Sequence, residues 1–177
     1  MPELPSRRES ISILRKAGCS SKIIKHCEAV SSLAVKIALR FRYRGIPIDL
    51  KVVEIGGLLH DIGRSKTHDV GHGAIGADLA RSFDLPDTVV NIIERHIGAG
   101  IRKEEARKIG LPGRDFVPLT LEEKIVAYAD KLVKGDHYIS FDEALKDFSK
   151  ELGPDHPAIK RFRKLHEEIS KVVGESI

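Results

Sequence analysis

Tryptophan is absent from this 177-residue chain, and phenylalanine and tyrosine together supply only 5% of it. Proteins that hold single-stranded nucleic acid without sequence preference lean on aromatic rings as stacking platforms, so a function built on such platforms is disfavoured. Cysteine is scarce too. Cys19 and Cys27 are the only two, both lie near the N-terminus, and they do not form a CxxC pair. Two such residues are no disulfide framework, which points to a reducing, cytoplasmic home. No apolar run approaches the roughly 18 residues that a membrane span requires. The opening MPELPSRRES has no apolar segment, so no secretory signal is expected there. Internal repeats and low-complexity tracts are also missing.

What is present is an ordinary globular balance, 41% hydrophobic and 32% charged. The length suits one domain, expected to span 1–177, and is enough to bury a core without staples. Thirty basic residues face twenty-six acidic ones, for a formal net charge of +4 and a pI near 9.1. That mild excess suits an anionic substrate without demanding a nucleic-acid partner.

Apolar periodicity is helical almost throughout. A short helix is predicted over 7–17 and a longer one over 21–43, with Ile23, Cys27, Val30, Ala34, Ile37 and Phe41 on one stripe. Gly45 and Pro47 turn the chain. A third helix is expected from an Asp49 N-cap to His60 or Asp61, with Gly63 as its terminating glycine. Helices are expected over 71–83 and 86–97, with Pro86 in the first turn of the latter. The stretch 98–119, with four glycines and two prolines, reads as loop around a short helix at 103–109. Thr120 with Glu123, and Ser140 with Glu143, are capping-box signatures for helices over 121–135 and 141–152. Pro157 opens a last helix to about Val173. No segment alternates with period two, so the expected class is all-α: a compact single-domain bundle of about seven helices, with 141–173 packed on a motif region at about 20–135.

Certain polar residues fall on the apolar stripes, where an unpartnered group costs several kcal/mol. His26 aligns with Val30, Leu33 and Ile37. His60 follows Gly56 by one turn, and Asp61 lies one turn beyond Leu58. His72 aligns with Ile75, Gly76 and Leu79, and His96 with Ile92 and Ile93. Asp130 sits between Val126 and Val133. A lone histidine on such a face is ordinarily a core residue with one satisfied hydrogen bond, and His166, one turn from Phe162, is read that way. A buried aspartate requires a proton, a cation or a metal; Lys131 and Lys134 are the nearest cations to Asp130 in sequence. The His-Asp dipeptide alone is weak evidence. Eight histidines and twelve aspartates yield about half of one such pair by chance, and His68-Asp69 is a second copy, read as incidental or peripheral to a substrate.

In combination the residues are more specific. The order His26, His60-Asp61, Asp130, with GGLLHDIGR around the dyad and EKIVAYADKL around the last aspartate, resembles the HD superfamily of metal phosphohydrolases over roughly residues 20–135. The resemblance implies that these four residues bind one metal. His72 in VGHGAIGA and His96 in IIERHIGAG fall where dinuclear members carry two further histidines, with Asp61 then bridging two ions. The chain resembles bacterial HD enzymes that split diadenosine tetraphosphate. It is similar as well to the archaeal iron-dependent cyclic phosphodiesterase of methanopterin synthesis, and to archaeal HD domains found alone or fused to tRNA ribose methylases.

Imidazoles with carboxylates suit Fe, Mn, Ni, Co or Zn; one or two ions are expected, two being favoured. The expected reaction is hydrolysis of a phosphate ester or anhydride of a nucleotide-like molecule by metal-hydroxide attack. Asp61 would hold the metals and orient the water. Arg64, directly after HDIG where many members carry lysine, would stabilise phosphate charge, and Lys131 is a second phosphate candidate. The loop bearing Arg102, Lys103 and Arg114 would cover the site or lie solvated. Alternatives are a 2′,3′-cyclic phosphodiesterase, an RNA- or tRNA-associated accessory domain, and a non-catalytic metal-binding regulatory module. RNA is a possible but not favoured partner, no membrane partner is expected, and a homodimer is compatible with the sequence.

Overall fold

The computed structural model describes residues 2–174. Its first element, α1 (Arg7–Ala17), opens on a capping box: Ser6 Oγ accepts from Glu9 N, and the Glu9 carboxylate accepts from Ser6 N. It stops at Gly18, which adopts φ +95°. Next come α2 (Ser21–Tyr43), capped by Ser20, and α3 (Leu50–Leu59), whose N-cap Asp49 accepts from Lys51 N and Val52 N. A 3₁₀ turn (Ile62–Ser65) leads to α4 (His72–Ser82), α5 (Asp87–Arg95), α6 (Lys103–Lys108) and α7 (Leu121–Lys131). A two-stranded antiparallel hairpin of β1 (Val133–Lys134) and β2 (His137–Tyr138) precedes α8 (Phe141–Leu152) and α9 (Pro157–Val173).

The class is all-α, as expected, but the described residues form nine α-helices rather than about seven. Four local expectations also change. The helix expected over 121–135 ends at Lys131, because Gly135 at φ +64° turns the chain into the hairpin; two-residue strands are too short to show an alternating pattern. The helix expected over 86–97 is Asp87–Arg95, with Pro86 as its N-cap. Gly63 does not terminate α3 by a left-handed turn. It lies inside the 3₁₀ turn, and its missing side chain lets the backbone of α4 at His72 and Gly76 pack directly against it. Each capping-box signature is half realised. Thr120 and Ser140 accept from Glu123 N and Glu143 N, but the Glu123 carboxylate accepts instead from Leu119 N and Arg95.

α2 runs through the middle. One apolar cluster joins Val30, Leu33, Ile37 and Phe41 of α2 to Val126 and Ala129 of α7, Phe148 of α8, and Ile159 and Phe162 of α9. The helices after the motif region therefore share its core. A second cluster joins Leu14, Cys27, Ile55, Leu58, Leu59, Ala77, Val89 and Ile93. α2 and α3 approach closely at Gly57, where an added Cβ would stand 2.8 Å from Ser31 Cα, and Ser31 Oγ donates to Glu54 O at 2.8 Å. Since the obstacle is backbone, Gly57→Ala is expected to lower stability by about 1–3 kcal/mol. Urea unfolding of the variant checks this; an unchanged midpoint would show that the helices separate freely.

Candidate metal centre

The six inward-pointing residues converge where α2, α3, α4, α5 and α7 meet. His60, Asp61, His72 and His96 are buried, while His26 and Asp130 form the outer side, with side chains 17% and 20% exposed. All four imidazoles are anchored alike. Nδ1 lies 2.6 Å from Gly135 O in His26, 2.7 Å from Gly57 O in His60, 2.6 Å from Asp69 O in His72 and 2.7 Å from Ile93 O in His96. A carbonyl only accepts, so each Nδ1 donates a proton and each Nε2 of a neutral ring presents a lone pair inward.

These lone pairs meet other acceptors. His26 Nε2 and His60 Nε2 lie 3.0 and 3.3 Å from Asp130 Oδ1, and both lie 3.7 Å from Asp61 Oδ2. On the other side, Asp61 Oδ1 lies 3.1 Å from His72 Nε2 and 3.3 Å from His96 Nε2, and those two nitrogens are 3.1 Å apart. His60 Nε2 and Asp61 Oδ1 are buried and form no hydrogen bond. Ligand atoms about 2.0–2.2 Å from a shared ion stand roughly 2.8–3.6 Å from one another. The observed separations match that spacing closely on both sides. Nearly touching acceptors are repulsive unless a proton or a cation lies between them, so the donor set fits divalent metal. The Nδ1 anchors are the outer contacts that hold metal-ligating histidines in one tautomer and orientation.

The electrostatics agree. Burial works against the charge on Asp61, but His60, His72 and His96 outweigh it and hold its carboxyl well below the usual range. Burial likewise opposes ionisation of Asp130, but the neighbouring His26 and His60 imidazoles outweigh it and hold its carboxyl well below the usual range. Burial also opposes charge on His60, yet Asp61 above all draws its imidazole well above its ordinary value, whereas burial pushes His96 down.

Arg64 Nε donates to Asp61 Oδ2 at 2.8 Å, and its Nη1 donates to His68 O at 3.4 Å. Lys131 sits elsewhere, with Nζ 4.0 Å over the Phe148 ring, and Lys134 pairs with Asp147 at 2.7 Å. Neither lysine neutralises Asp130. The 98–119 segment does not lie over the cluster's cavity. Arg114 pairs with Glu94 at 2.5 Å, Lys103 N bonds Asp115, and Arg102 opens α6. His166 keeps the structural role expected of it, accepting or donating with Tyr128 Oη at 2.7 Å and stacking on Phe141.

The second His-Asp copy turns out to be structural support for the centre: Asp69 holds His72 by its carbonyl and closes the turn by accepting from Gly71 N at 2.8 Å. Sequence reasoning also missed a cavity of about 300 Å³ that reaches the cluster. It is lined by Ser20, Lys22, Ile23 and His26 of the α2 end, by Asp61, Arg64 and His68, and by Gly135. Lys22 carries a legible signal, one helical turn before His26 on the same face. Gly135 has none, since it acts through its carbonyl.

An all-helical fold enclosing a histidine-aspartate centre defines a class of metal-binding proteins. A family model described as HD domain matches residues 23–135, and the chain belongs to that family. It is 47% identical over 165 residues to an uncharacterised protein of Methanocaldococcus jannaschii, covering 93% of this chain and 97% of that protein. It is also 41% identical over 175 residues to the tRNA (cytidine(56)-2'-O)-methyltransferase of Picrophilus torridus. That match covers 98% of this chain but 49% of the methyltransferase, so the chain spans about half that relative's length. Among solved structures, the HD domain of the L. monocytogenes phosphodiesterase PgpH, in complex with cyclic-di-AMP, aligns with a TM-score of 0.54. At 16% identity over 96% of this chain and 99% of that one, the likeness is one of fold.

Because metal ligation requires His60 to lose its proton, binding and pH are linked. His60 is raised in the folded protein, so protonation competes with metal at neutral pH and the competition weakens as pH rises toward the raised value. Metal affinity is therefore expected to climb with pH across the neutral range, by at most about tenfold per unit, with His60 releasing a proton as metal binds. Calorimetry in buffers of different ionisation enthalpy measures the release; a count of zero would contradict it.

Proposed function

We propose that the chain is a metal-dependent phosphohydrolase cleaving a phosphate ester or anhydride of a nucleotide-like substrate. The observation that carries this reading is the orientation of Asp61, whose two oxygens face different histidines: His26 and His60 lie nearest Oδ2, and His72 and His96 nearest Oδ1. A carboxylate so disposed suits two ions rather than one, and the imidazole-carboxylate set suits Fe, Mn, Co, Ni or Zn. When bound, such ions supply Lewis acidity and lower the pKa of a water into the neutral range.

The chain's own residues do the rest. His60, His72 and His96 are held by backbone carbonyls of their own segments, which keep their Nε2 lone pairs fixed. Asp61 is held in turn by Arg64, which engages it through Nε. Of the five guanidinium donors, two meet Asp61 and His68 O, and the remaining ones are free to receive a phosphate oxygen as charge builds on it. The burial of His72 and His96 leaves His26, Asp61 and Arg64 as the cluster residues that line the cavity, so substrate is expected to enter on that side. The cyclic-di-AMP bound to the PgpH domain supports a nucleotide-like substrate. The core shared with α8 and α9 supports reading the chain as one domain, and the free cysteines suit a cytoplasmic setting.

A second reading, action beside a tRNA-modifying activity, is favoured by the methyltransferase relative, which carries a counterpart of nearly this whole chain within a longer protein. A steep salt dependence of tRNA binding would support it.

Asp61→Asn is expected to reduce phosphate release by roughly 10²–10³-fold or more while leaving the helical circular dichroism unchanged. The assay is an anaerobic screen of metal-reconstituted protein against dinucleoside polyphosphates, mononucleotides and 2′,3′-cyclic phosphates. Full activity of the variant on every substrate of the wild type would overturn the assignment.

A further inference from the structure

Away from the metal centre, Leu39, Tyr43 and Tyr138 are exposed, and all three line one cavity of about 410 Å³. It lies between the C-terminal half of α2, strand β2 and the end of α9. From α2 come Leu33, Lys36, Arg40 and Tyr43, spaced three or four residues apart and so on one face of the helix. The aromatic rings are the informative part. The chain has six phenylalanines, three tyrosines and no tryptophan. Tyr43 is 86% exposed and Tyr138 49%, and among the described residues every other one of these rings is buried or half-buried. A sequence this poor in aromatics therefore has both of its exposed rings at the same cavity. Such scarcity argues against a long stacking platform, but not against one or two stacked bases.

Charge completes the pattern. Lys36 and Arg40 line the cavity, Arg42 and Arg44 flank Tyr43 in sequence, and all four are exposed. No carboxylate lines the cavity, and among the described residues none of these four cations forms an ion pair. Lys36 Nζ instead lies 5.3 Å from the centre of the Tyr138 ring. Cations in the last turn of a helix are ordinary, because they offset its negative pole. That pole accounts neither for Lys36, about two turns earlier, nor for the exposed rings. An apolar floor, open aromatic rings and uncompensated cations together fit an anion that carries flat apolar groups. Cations spread over two turns suit several backbone phosphates rather than one.

We propose that this face of α2 and β2 binds unpaired nucleotides of an RNA, with a base stacked on Tyr43 and backbone phosphates on Lys36, Arg40, Arg42 and Arg44. The choice of RNA over DNA rests on the second reading above, action beside a tRNA-modifying activity; the surface itself does not. The site is distinct from the metal centre, since His26 and Arg40 lie about four turns and roughly 20 Å apart along α2.

The test is fluorescence anisotropy on the full chain, with EDTA present to prevent cleavage. The probes are a labelled single-stranded RNA of mixed sequence, its duplex, a DNA strand of the same sequence, and a tRNA transcript. Wild type should bind the single-stranded RNA most tightly of the first three. Its log affinity should fall against log salt with a slope of about −2 to −3, as three or four phosphate contacts imply. Tyr43→Ala should weaken binding roughly tenfold and keep the slope, while Tyr43→Phe stays near wild type. Arg40→Gln should weaken binding and reduce the slope by about 0.7. Both side chains are exposed, so the variants are expected to fold, which circular dichroism checks. No binding by wild type, equal binding of single strand and duplex, or wild-type affinity in Tyr43→Ala would overturn the surface. A wild-type dimer that Tyr43→Ala splits, in a protein that binds no RNA, would overturn it in favour of a second copy of the chain. Equal binding of the DNA would overturn RNA as the partner. Tyr43-dependent binding of single-stranded RNA without any binding of tRNA would overturn the tRNA reading and leave the surface standing. Salt-steep tRNA binding indifferent to both variants would do the reverse.

Discussion

Electrostatic repulsion among buried acceptors is the constraint on which this structure turns. Four imidazole nitrogens and three carboxylate oxygens face one another at 3.0–3.7 Å, and each ring has already spent its proton on a backbone carbonyl. Such a set is stable only around positive charge. The helices that bring it together pack on two apolar clusters either side of α2, and glycines permit the closest approaches. Gly57 lets α3 reach α2, and Gly63 lets the turn after Asp61 lie on α4. Without those contacts His60 and His72 would not share a centre through Asp61.

Much of this was legible in the sequence because it is carried by side-chain periodicity. His26, His60, Asp61, His72, His96 and Asp130 each interrupt an apolar stripe, and a helical stripe identifies the face that will be buried. The helix starts were equally readable where a side chain makes the cap, as at Asp49 and Thr120. The six residues do converge; their individual roles rest on the proposal above.

The parts that stayed hidden work through the main chain. Nothing in the identity of Gly135, Gly57, Asp69 or Ile93 announces that its carbonyl will hold an imidazole. The hairpin after α7 is too short for a strand pattern, and a glycine at φ +64° reads in sequence only as a turn. Lys131 and Lys134 illustrate a different failure. Adjacency to Asp130 along the chain suggested pairing, but their long stems carry the charges to Phe148 and Asp147. Proximity in sequence is a poor guide for a residue at a helix end, where the backbone changes direction.

The hairpin has a kinetic meaning as well. Three of the four histidines are anchored by carbonyls lying three residues before them in the same chain segment, but His26 is anchored 109 residues away, by the tip of β1–β2. Local anchors survive any fluctuation short of melting their own segment. The His26 anchor breaks whenever the hairpin tip lifts, a small opening compared with global unfolding. The two halves of the centre therefore depend on different things: the His72–His96 half keeps its shape as long as its own segments do, and the His26 half only while α2 and the hairpin tip stay together.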